Sequence, residues 1–258
     1  MPENDIGRRL LDGPSGGGWK KIGLKKRAGL VVPLFSVYSG KSVGIGEIDD
    51  IRLLADWCAK TGNSILQFLP LNEVGPVFCP YDSISSFALE PVYLSLGLIP
   101  GAEKRPVKSA IEKMKRDFPT GRRCVDYRVK NSKLRALRLI FEGGTDRHDP
   151  GFGAFVDDNS YWINDFALYK ALKDEHGGKP WYEWPASFRD RGEEALARFA
   201  AAHREDLEFH RWVQWHLFRQ FSAVKAYADT NGILLKGDLP VLVSRDSADV
   251  WALSLIHI

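Results

Sequence analysis

The chain has 258 residues, of which 44% are hydrophobic and 27% are charged. This composition is typical of an ordinary globular protein with one large domain or two small ones. Its 36 lysine and arginine residues exceed its 33 aspartate and glutamate residues by only three, so the charge balance does not favour a nucleic-acid or a membrane partner.

The cysteines and the first residues of the sequence indicate the cellular compartment of the protein. Cys58, Cys79 and Cys124 are an odd number of cysteines and include no C-x-x-C pair, which argues against a disulfide framework and a zinc site. The opening residues contain no apolar signal-peptide core, and no stretch approaches the ~20 apolar residues of a membrane helix. We therefore expect a cytoplasmic protein with reduced thiols.

The first predicted elements follow a Gly- and Pro-rich N-terminal arm, residues 1–28, which we expect to be loose. Residues 29–35, GLVVPLF, form an apolar run that predicts a strand covered on both faces, as in a parallel sheet. Residues 48–60 place apolar side chains at helical spacing behind two aspartates, which predicts an amphipathic helix. A second apolar run at 64–70 completes a predicted βαβ unit.

A long insertion, about residues 71–231, separates this unit from the next predicted strand. Its first part, 71–130, is rich in proline and is expected to consist mainly of loops. Its second part has helical periodicity. The helices are predicted near 131–142, 159–175, 191–202 and 205–229. The strand that follows is placed at 233–237, because Pro240 cannot donate to a ladder and should end the pairing.

Three strands of the buried type, each followed by a loop rich in polar and aromatic residues, indicate part of an α/β fold. A (β/α)8 barrel needs about 250 residues even without insertions. Since the insertion takes up well over a hundred residues, these residues are too few for the full barrel.

The carboxyl ends of the strands are the expected ligand side of such a fold. In the first loop, Gly44 and Gly46 are similar to a dinucleotide-binding turn, but the third glycine is missing and Asp49 in its place disfavours a phosphate. In the second loop, the ring of Tyr81 could stack on a sugar face while its hydroxyl makes a hydrogen bond. A rigid turn whose tyrosine only packs explains that residue equally well.

Asp238 lies at the carboxyl end of the third predicted strand. A carboxylate at this position would point into a barrel mouth, where it can accept hydrogen bonds from substrate hydroxyls. A loop-capping aspartate is the alternative, and the position favours the substrate role.

Other motifs do not have the spacing that their chemistry requires. The six histidines include no H-E-x-x-H, and His210 and His216 are six residues apart, on different faces of a helix. The segment GPSGGGWK lacks the G-K-[ST] of a phosphate-binding loop. We therefore predict no metal site and no cofactor.

Three stretches together resemble one family. They are LVVPLFSVYSGKSVGIGEIDDIRLLADWCAKTGNSILQFLPLNEVGP, CPYDSISSFALEPVYL and GILLKGDLPVLVSRDSADVW. In order and spacing they resemble the first three barrel strands of the amylomaltases, the 4-alpha-glucanotransferases also called disproportionating enzymes. The resemblance extends from about residue 29 to 252, and the helical insertion lies where that family carries one.

The resemblance implies a (β/α)8 barrel, of which this chain would be an incomplete N-terminal fragment with the first three strands. It implies an enzyme that cleaves an α-1,4-glucan, holds the glucosyl portion covalently and transfers it to the 4-hydroxyl of glucose or another glucan. Such retaining chemistry uses a nucleophilic carboxylate and a general acid/base about 5–5.5 Å apart. The implied partners are maltodextrin, maltose and glucose as acceptor, and no cofactor or metal is implied.

The resemblance also assigns substrate-binding positions. Tyr81 corresponds to the family's sugar-stacking tyrosine, and Asp238 to the aspartate that lines the site near the scissile bond. Cys79 stands where more familiar members carry a small hydroxyl residue, so the hydrogen bond made there is in question. The motifs that hold the nucleophile, the acid/base glutamate and the stabilising aspartate do not occur in these 258 residues. No catalytic residue is assigned, and we expect the chain to be inactive alone.

Two alternatives and one anomaly accompany this prediction. The chain could be a complete, non-catalytic glucan-binding module, or part of a related α-glucan hydrolase. The last residues, 253–258, LSLIHI, do not continue the expected barrel, and we expect them to be an artefactual tail. The predicted organisation is thus an arm at 1–28, the N-terminal part of a barrel at 29–252, and this tail.

Overall fold

The structure is a computed structural model that describes residues 3–144 and 146–253. The helices are α1 (Glu3–Asp12), α2 (Gly16–Ile22), α3 (Asp50–Lys60), α4 (Arg105–Asp117), α5 (Val129–Glu142), α6 (Pro150–Asp158), α7 (Ser160–Glu175), α8 (Ala186–Arg189), α9 (Glu193–Ala202), α10 (Arg204–Thr230) and α11 (Ala248–Leu253). The strands are β1 (Gly29–Val32), β2 (Ile65–Phe68), β3 (Asp82–Ser83), β4 (Leu234–Lys236) and β5 (Leu242–Val243). Residues 254–258 of the expected tail lie outside the described residues.

The main sheet is parallel, with the order β1-β2-β4. These are the three strands predicted from the sequence, and their expected order in an α/β fold is confirmed. A second, two-stranded parallel sheet pairs β3 with β5, and neither of these short strands was predicted. The strands in the described part of the chain do not close into a barrel.

One face of the main sheet is covered by helices and the other is open. Leu66 and Phe68 of β2 are buried against α3, while α10 packs on both α3 and β4. On the opposite face, Val31 is 63% exposed and lies in register with Gln67 and Lys236. The prediction that β1 is covered on both faces is therefore wrong, because β1 is an edge strand and no element in the described ranges covers that face.

The insertion forms a helical layer with its own core. Its predicted helices appear as α5, α7, α9 and α10, which confirms the helical second part. A second cluster of buried aromatic and aliphatic side chains joins α7, α9, the start of α10 and α11. Trp251 of α11 belongs to this cluster and has no exposed surface. The helical layer thus holds the last described helix as well as the insertion.

The 71–130 stretch is less irregular than expected, because it contains α4. Val107 and Met114 of α4 are buried in the main core, so tertiary packing stabilises a helix in a region that the prolines indicated as loop. The arm also differs from the prediction, since α1 and α2 form where we expected order to begin only after residue 28.

The two glycines of the first loop serve packing. Gly44 has a φ of +77°, in the left-handed region that glycine adopts without strain. A Cβ on Gly46 would lie 2.0 Å from the carbonyl oxygen of Leu34, so only glycine allows this close approach of the backbone. No helix in the described part of the chain is long and apolar enough to cross a membrane.

Candidate functional site

The loops after β2 and β4 meet at the carboxyl end of the sheet. They are joined by the β3–β5 pairing, in which Asp82 is opposite Leu242. The backbone N–H of Leu242 donates to the carbonyl oxygen of Tyr81 at 3.0 Å, and that of Ser244 donates to the carbonyl oxygen of Ser83 at 2.9 Å. The two loops therefore form one backbone-bonded unit at the edge where ligands bind in such folds.

Tyr81 and Asp238 contact each other inside this unit. The Tyr81 hydroxyl donates to Oδ2 of Asp238 at 2.9 Å, while Oδ1 of Asp238 accepts from the backbone N–H of Leu239 at 3.0 Å. The hydrogen bond to Asp238 raises the pKa of the Tyr81 phenol, and partial burial and the negative charge of Asp238 act in the same direction. Tyr81 is thus a neutral donor, and both oxygens of Asp238 have partners that fix the carboxylate plane.

Cys79 lies on the same turn as Tyr81. Its thiol is free and half-buried, and its carbonyl oxygen accepts from the backbone N–H of Asp82 at 3.0 Å. It is close enough to Tyr81 to contribute to the raised pKa of the phenol. The structure therefore brings all three predicted substrate positions into one loop cluster.

An aromatic cavity beside this cluster did not emerge from the sequence. Phe78 and Tyr127 stack with ring centroids 4.2 Å apart and line a cavity of about 430 Å³ together with Tyr38 and Phe118. Phe78 has a φ of +54°, an uncommon conformation for a residue other than glycine. The lining comes from three separate loops, so no local motif could have indicated it.

The loop after β4 is also tied to the helical insertion, through Asp246. Its Oδ1 accepts from the hydroxyl of Tyr169 at 2.8 Å and from the backbone N–H of Trp181 at 3.1 Å, and its Oδ2 pairs with the ammonium of Lys173. Farther along, Asp249 accepts from the backbone N–H of Ser86 at 2.6 Å. The insertion thereby holds the segment that follows Asp238.

A cluster of buried charges lies behind the loop after β2. Glu73 and Glu90 are 1% and 2% exposed, and both are within ion-pair distance of the ammonium of Lys130. Lys170 of α7 also pairs with Glu73, at 2.8 Å. Charged residues at such burial must be paired, and the sequence offered no signal that these four residues would meet.

The side chains in the described residues do not form a cluster suited to binding a metal ion. Among 3–144 and 146–253, no group of three or more His, Cys, Asp or Glu side chains is arranged to hold a metal ion. His210 and His216 are buried in α10 and serve the core.

A parallel α/β sheet whose strands end in a loop cluster with a tyrosine and a carboxylate has the arrangement of an α/β protein that binds its ligand at the carboxyl edge. The family model described as 4-alpha-glucanotransferase matches residues 32–257. The chain belongs to this family, which confirms the resemblance seen in the sequence.

Known relatives agree with this assignment. A 4-alpha-glucanotransferase of Chlamydia pneumoniae is 37% identical over 243 residues, which cover 92% of this chain and 45% of the relative. One from Thermus thermophilus is 39% identical over 215 residues, covering 81% of this chain and 41% of the relative. The structure of the amylomaltase from Streptococcus agalactiae in complex with acarbose matches with a TM-score of 0.75 and 27% identity, over 90% of this chain and 47% of that one. The chain thus spans less than half the length of these relatives.

Proposed function

We propose that this chain supplies the first three strands and part of the substrate wall of a (β/α)8 4-alpha-glucanotransferase. The enzyme would transfer an α-1,4-glucan segment to the 4-hydroxyl of glucose or another α-1,4-glucan by a retaining, double-displacement mechanism. Family membership supports the reaction class, and the parallel β1-β2-β4 order supports the barrel. The observation that carries the site assignment is the hydrogen bond of 2.9 Å between Tyr81 and Asp238.

In this proposal the Tyr81 ring stacks on the apolar face of a glucosyl unit. Asp238 accepts hydrogen bonds from the hydroxyls of the sugar, since a carboxylate has about four lone-pair sites and two donors contact it within the described part of the chain. Cys79 occupies the adjacent position, where its thiol is a weaker hydrogen-bond partner than a hydroxyl. Transfer instead of hydrolysis requires the acceptor sugar to reach the covalent intermediate before water does.

Maltoheptaose binding to the 258-residue chain tests the site. We expect measurable affinity by isothermal titration calorimetry, and an affinity at least about tenfold lower in Y81A, equivalent to about 1.4 kcal/mol. Y227A is the control for Y81A, because Tyr227 makes a similar hydrogen bond to Asp56, at 2.6 Å, in a different part of the protein. Equal affinity in the wild type and in Y81A would refute the site.

Incubation with maltotriose tests the reaction. We propose that the 258-residue chain does not disproportionate maltotriose to glucose and longer maltodextrins on its own, because it carries no match to the motifs that hold the family's nucleophile and acid/base. Appearance of these products in a catalytic amount would overturn this part of the proposal. Glucan binding without any transfer, even in a chain extended to the length of the relatives, would instead favour a binding module.

A further inference from the structure

The segment that carries Tyr81 leaves and re-enters the core through a narrow neck. Val74 and Glu90 form this neck, and the backbone N–H of Val74 donates to Oε2 of Glu90 at 3.0 Å. Close to the neck, the backbone N–H of Glu73 donates to the carbonyl oxygen of Ala88 at 2.8 Å. The segment 74–90 is therefore a closed loop with its two ends in contact. We call it the Tyr81 loop.

Lys130 of α5 reaches this neck from outside the Tyr81 loop. Its ammonium donates to the carbonyl oxygen of Val74 at 3.1 Å and to Oε2 of Glu90 at 2.9 Å. One cation thus bonds both ends of the Tyr81 loop at once. An ammonium has three donors and can make these two bonds while it also faces Glu73, whose Oε1 lies 3.5 Å away.

Burial makes this contact more than a surface ion pair. The side chain of Lys130 is 12% exposed and that of Glu90 is 2% exposed, so water screens their interaction little. Burial on its own would raise the pKa of Glu73, but the charges of Lys170 and Lys130 outweigh burial and hold that pKa below its usual value. The removal of Lys130 would leave Glu90 as a buried carboxylate without its cation, which is strongly unfavourable.

The Tyr81 loop has further backbone anchors: the N–H of Leu242 donates to the Tyr81 carbonyl oxygen, and the N–H of Ala248 donates to that of Ile84 at 2.9 Å. Inside the loop, Val74 at the neck forms a β-bridge with Ser83, and the N–H of Ile84 donates to the carbonyl oxygen of Glu73 at 2.8 Å. The neck is thus bonded through the backbone to the residues that directly follow Tyr81. If the neck opens, Tyr81 shifts relative to Asp238.

We propose that Lys130 is a positioning residue, which acts through the neck of the Tyr81 loop to hold the Tyr81 hydroxyl against Asp238. Its importance for sugar binding rests on the proposed function, but the positioning itself can be measured without any sugar. The insertion then has a defined task, since its helix α5 sets the geometry of a loop at the carboxyl edge of the sheet.

NMR of the 258-residue chain, labelled with ¹³C at the ζ-carbon of tyrosine, tests this proposal at pH 7. Y81F assigns the Tyr81 signal, and D238N shows its position when the charged acceptor is lost. In K130M we expect the Tyr81 signal to move toward the D238N position and the Leu242 amide to exchange with solvent at least about tenfold faster. K130R retains a cation and should restore both readouts.

K170M is the matched control. Lys170 also pairs with Glu73, at 2.8 Å, but among the described residues it makes no hydrogen bond to Val74 or Glu90 at the neck. K170M should therefore lower stability without moving the Tyr81 signal. Should K130M fail to fold, E90Q removes the same ion pair with little change in shape and is expected to give the same shift.

Three outcomes would overturn the proposal: an unmoved Tyr81 signal in both K130M and E90Q, an equal shift in K170M, or no rescue by K130R. The proposed function fails independently, if the wild-type chain does not bind maltoheptaose while the NMR shifts occur as expected.

Discussion

His216 shows how burial controls a single titratable residue in this fold. It is fully buried in α10, its ring lies 4.3 Å from that of Trp212, and its Nε2 lies 3.0 Å from Oδ2 of Asp146. Burial, followed by the nearby charge of Arg219, lowers the pKa of His216 to about 3. Burial also raises the pKa of Asp146. The histidine is therefore neutral in the folded protein at neutral pH, and the close contact is not an ion pair.

This depressed pKa predicts acid sensitivity. Between the unfolded pKa of about 6.5 and the folded pKa of about 3, the unfolded chain binds a proton that the folded chain does not. The stability contributed by neutral His216 is complete above pH 6.5 and is lost as the pH falls through this window, by up to about 1.4 kcal/mol per pH unit. The raised pKa of Asp146 opposes part of this loss. Urea unfolding of wild type and H216Q at pH 7, 6 and 5 measures this loss of stability. The free energy of unfolding of H216Q should depend less on pH than that of the wild type. Parallel curves for the two proteins would contradict the assignment.

The site residues were predictable one by one, but their contact was not. Asp238 could be chosen because it directly follows a predicted strand, and Tyr81 because it lies in the loop after another. Each is in a motif similar to one of the family. Their hydrogen bond joins positions 157 residues apart. It depends on the pairing of β3 with β5, two short strands whose sequences carry no β-strand pattern of their own. Their register comes from the folded loops, which sequence periodicity does not describe.

At the scale of secondary-structure elements, a buried lysine of α5 joins that helix to the loop between β1 and α3. Lys133 has no exposed surface and donates to Oε1 of Glu47 at 2.6 Å and to the carbonyl oxygens of Val92 and Leu94 at 2.7 and 3.2 Å. Burial raises the pKa of Glu47 despite the opposing charge of Lys133. Three segments distant in sequence thus meet at one ammonium group.

We expect K133M to destabilise the protein by about 3–5 kcal/mol, because it leaves Glu47 buried without its cation. The double variant K133M/E47Q should lose less than K133M, since its remaining side chain is neutral. Chemical denaturation of the two single variants and the double variant measures the coupling. If the double variant loses as much free energy of unfolding as K133M and E47Q lose together, the two residues act independently, and the prediction is contradicted.

The loop after β4 gives a second prediction for an element. Arg245 lies two residues after the end of β5, and its carbonyl oxygen accepts from the indole N–H of Trp181 at 2.7 Å. Asp246 anchors the next position to Tyr169. D246A should release this segment, so that trypsin cleaves after Arg245 about tenfold faster in the native protein. D229A is a control, because Asp229 forms its ion pair with Lys225 of the same helix, away from this segment. An unchanged cleavage rate in D246A would show that the anchor is dispensable.

The helices divide clearly into those the sequence predicts and those that it does not. The helix α3 was predicted because apolar spacing, acidic first-turn residues and a terminal glycine agree. The helix α6 was not, because Gly151 and Gly153 lower its intrinsic propensity. Its Pro150 start, the cap at Asp149, and the packing of Phe152 on Trp215 compensate for this. Long-range packing of this kind cannot be inferred from a single sequence.

At the scale of the whole molecule, the open sheet face and the loop after β4 leave apolar surface in contact with water. Leu239 and Val241 are 79% and 76% exposed, and Val31 on the open face is 63% exposed. Large apolar side chains exposed to this degree on a sheet and on the loop that follows it are typical of a surface that another layer covers. The proposed barrel would supply that layer from further strands.

The 258-residue chain should therefore self-associate, because its open face and the free edges of β1 and β4 can be covered by another copy. Sedimentation velocity between about 5 and 100 µM protein should show a sedimentation coefficient that rises with concentration. The variant V31K/L239E/V241K places charges on this surface without touching the helical cores, and we expect it to remain monomeric over the same range at unchanged helix content. L53E/L139E is the matched control, because Leu53 and Leu139 are 59% and 46% exposed on helices α3 and α5, and this variant should associate like the wild type. If the wild type stays monomeric at 100 µM, the exposed residues are tolerated in water and the argument for a missing layer over the sheet loses this support.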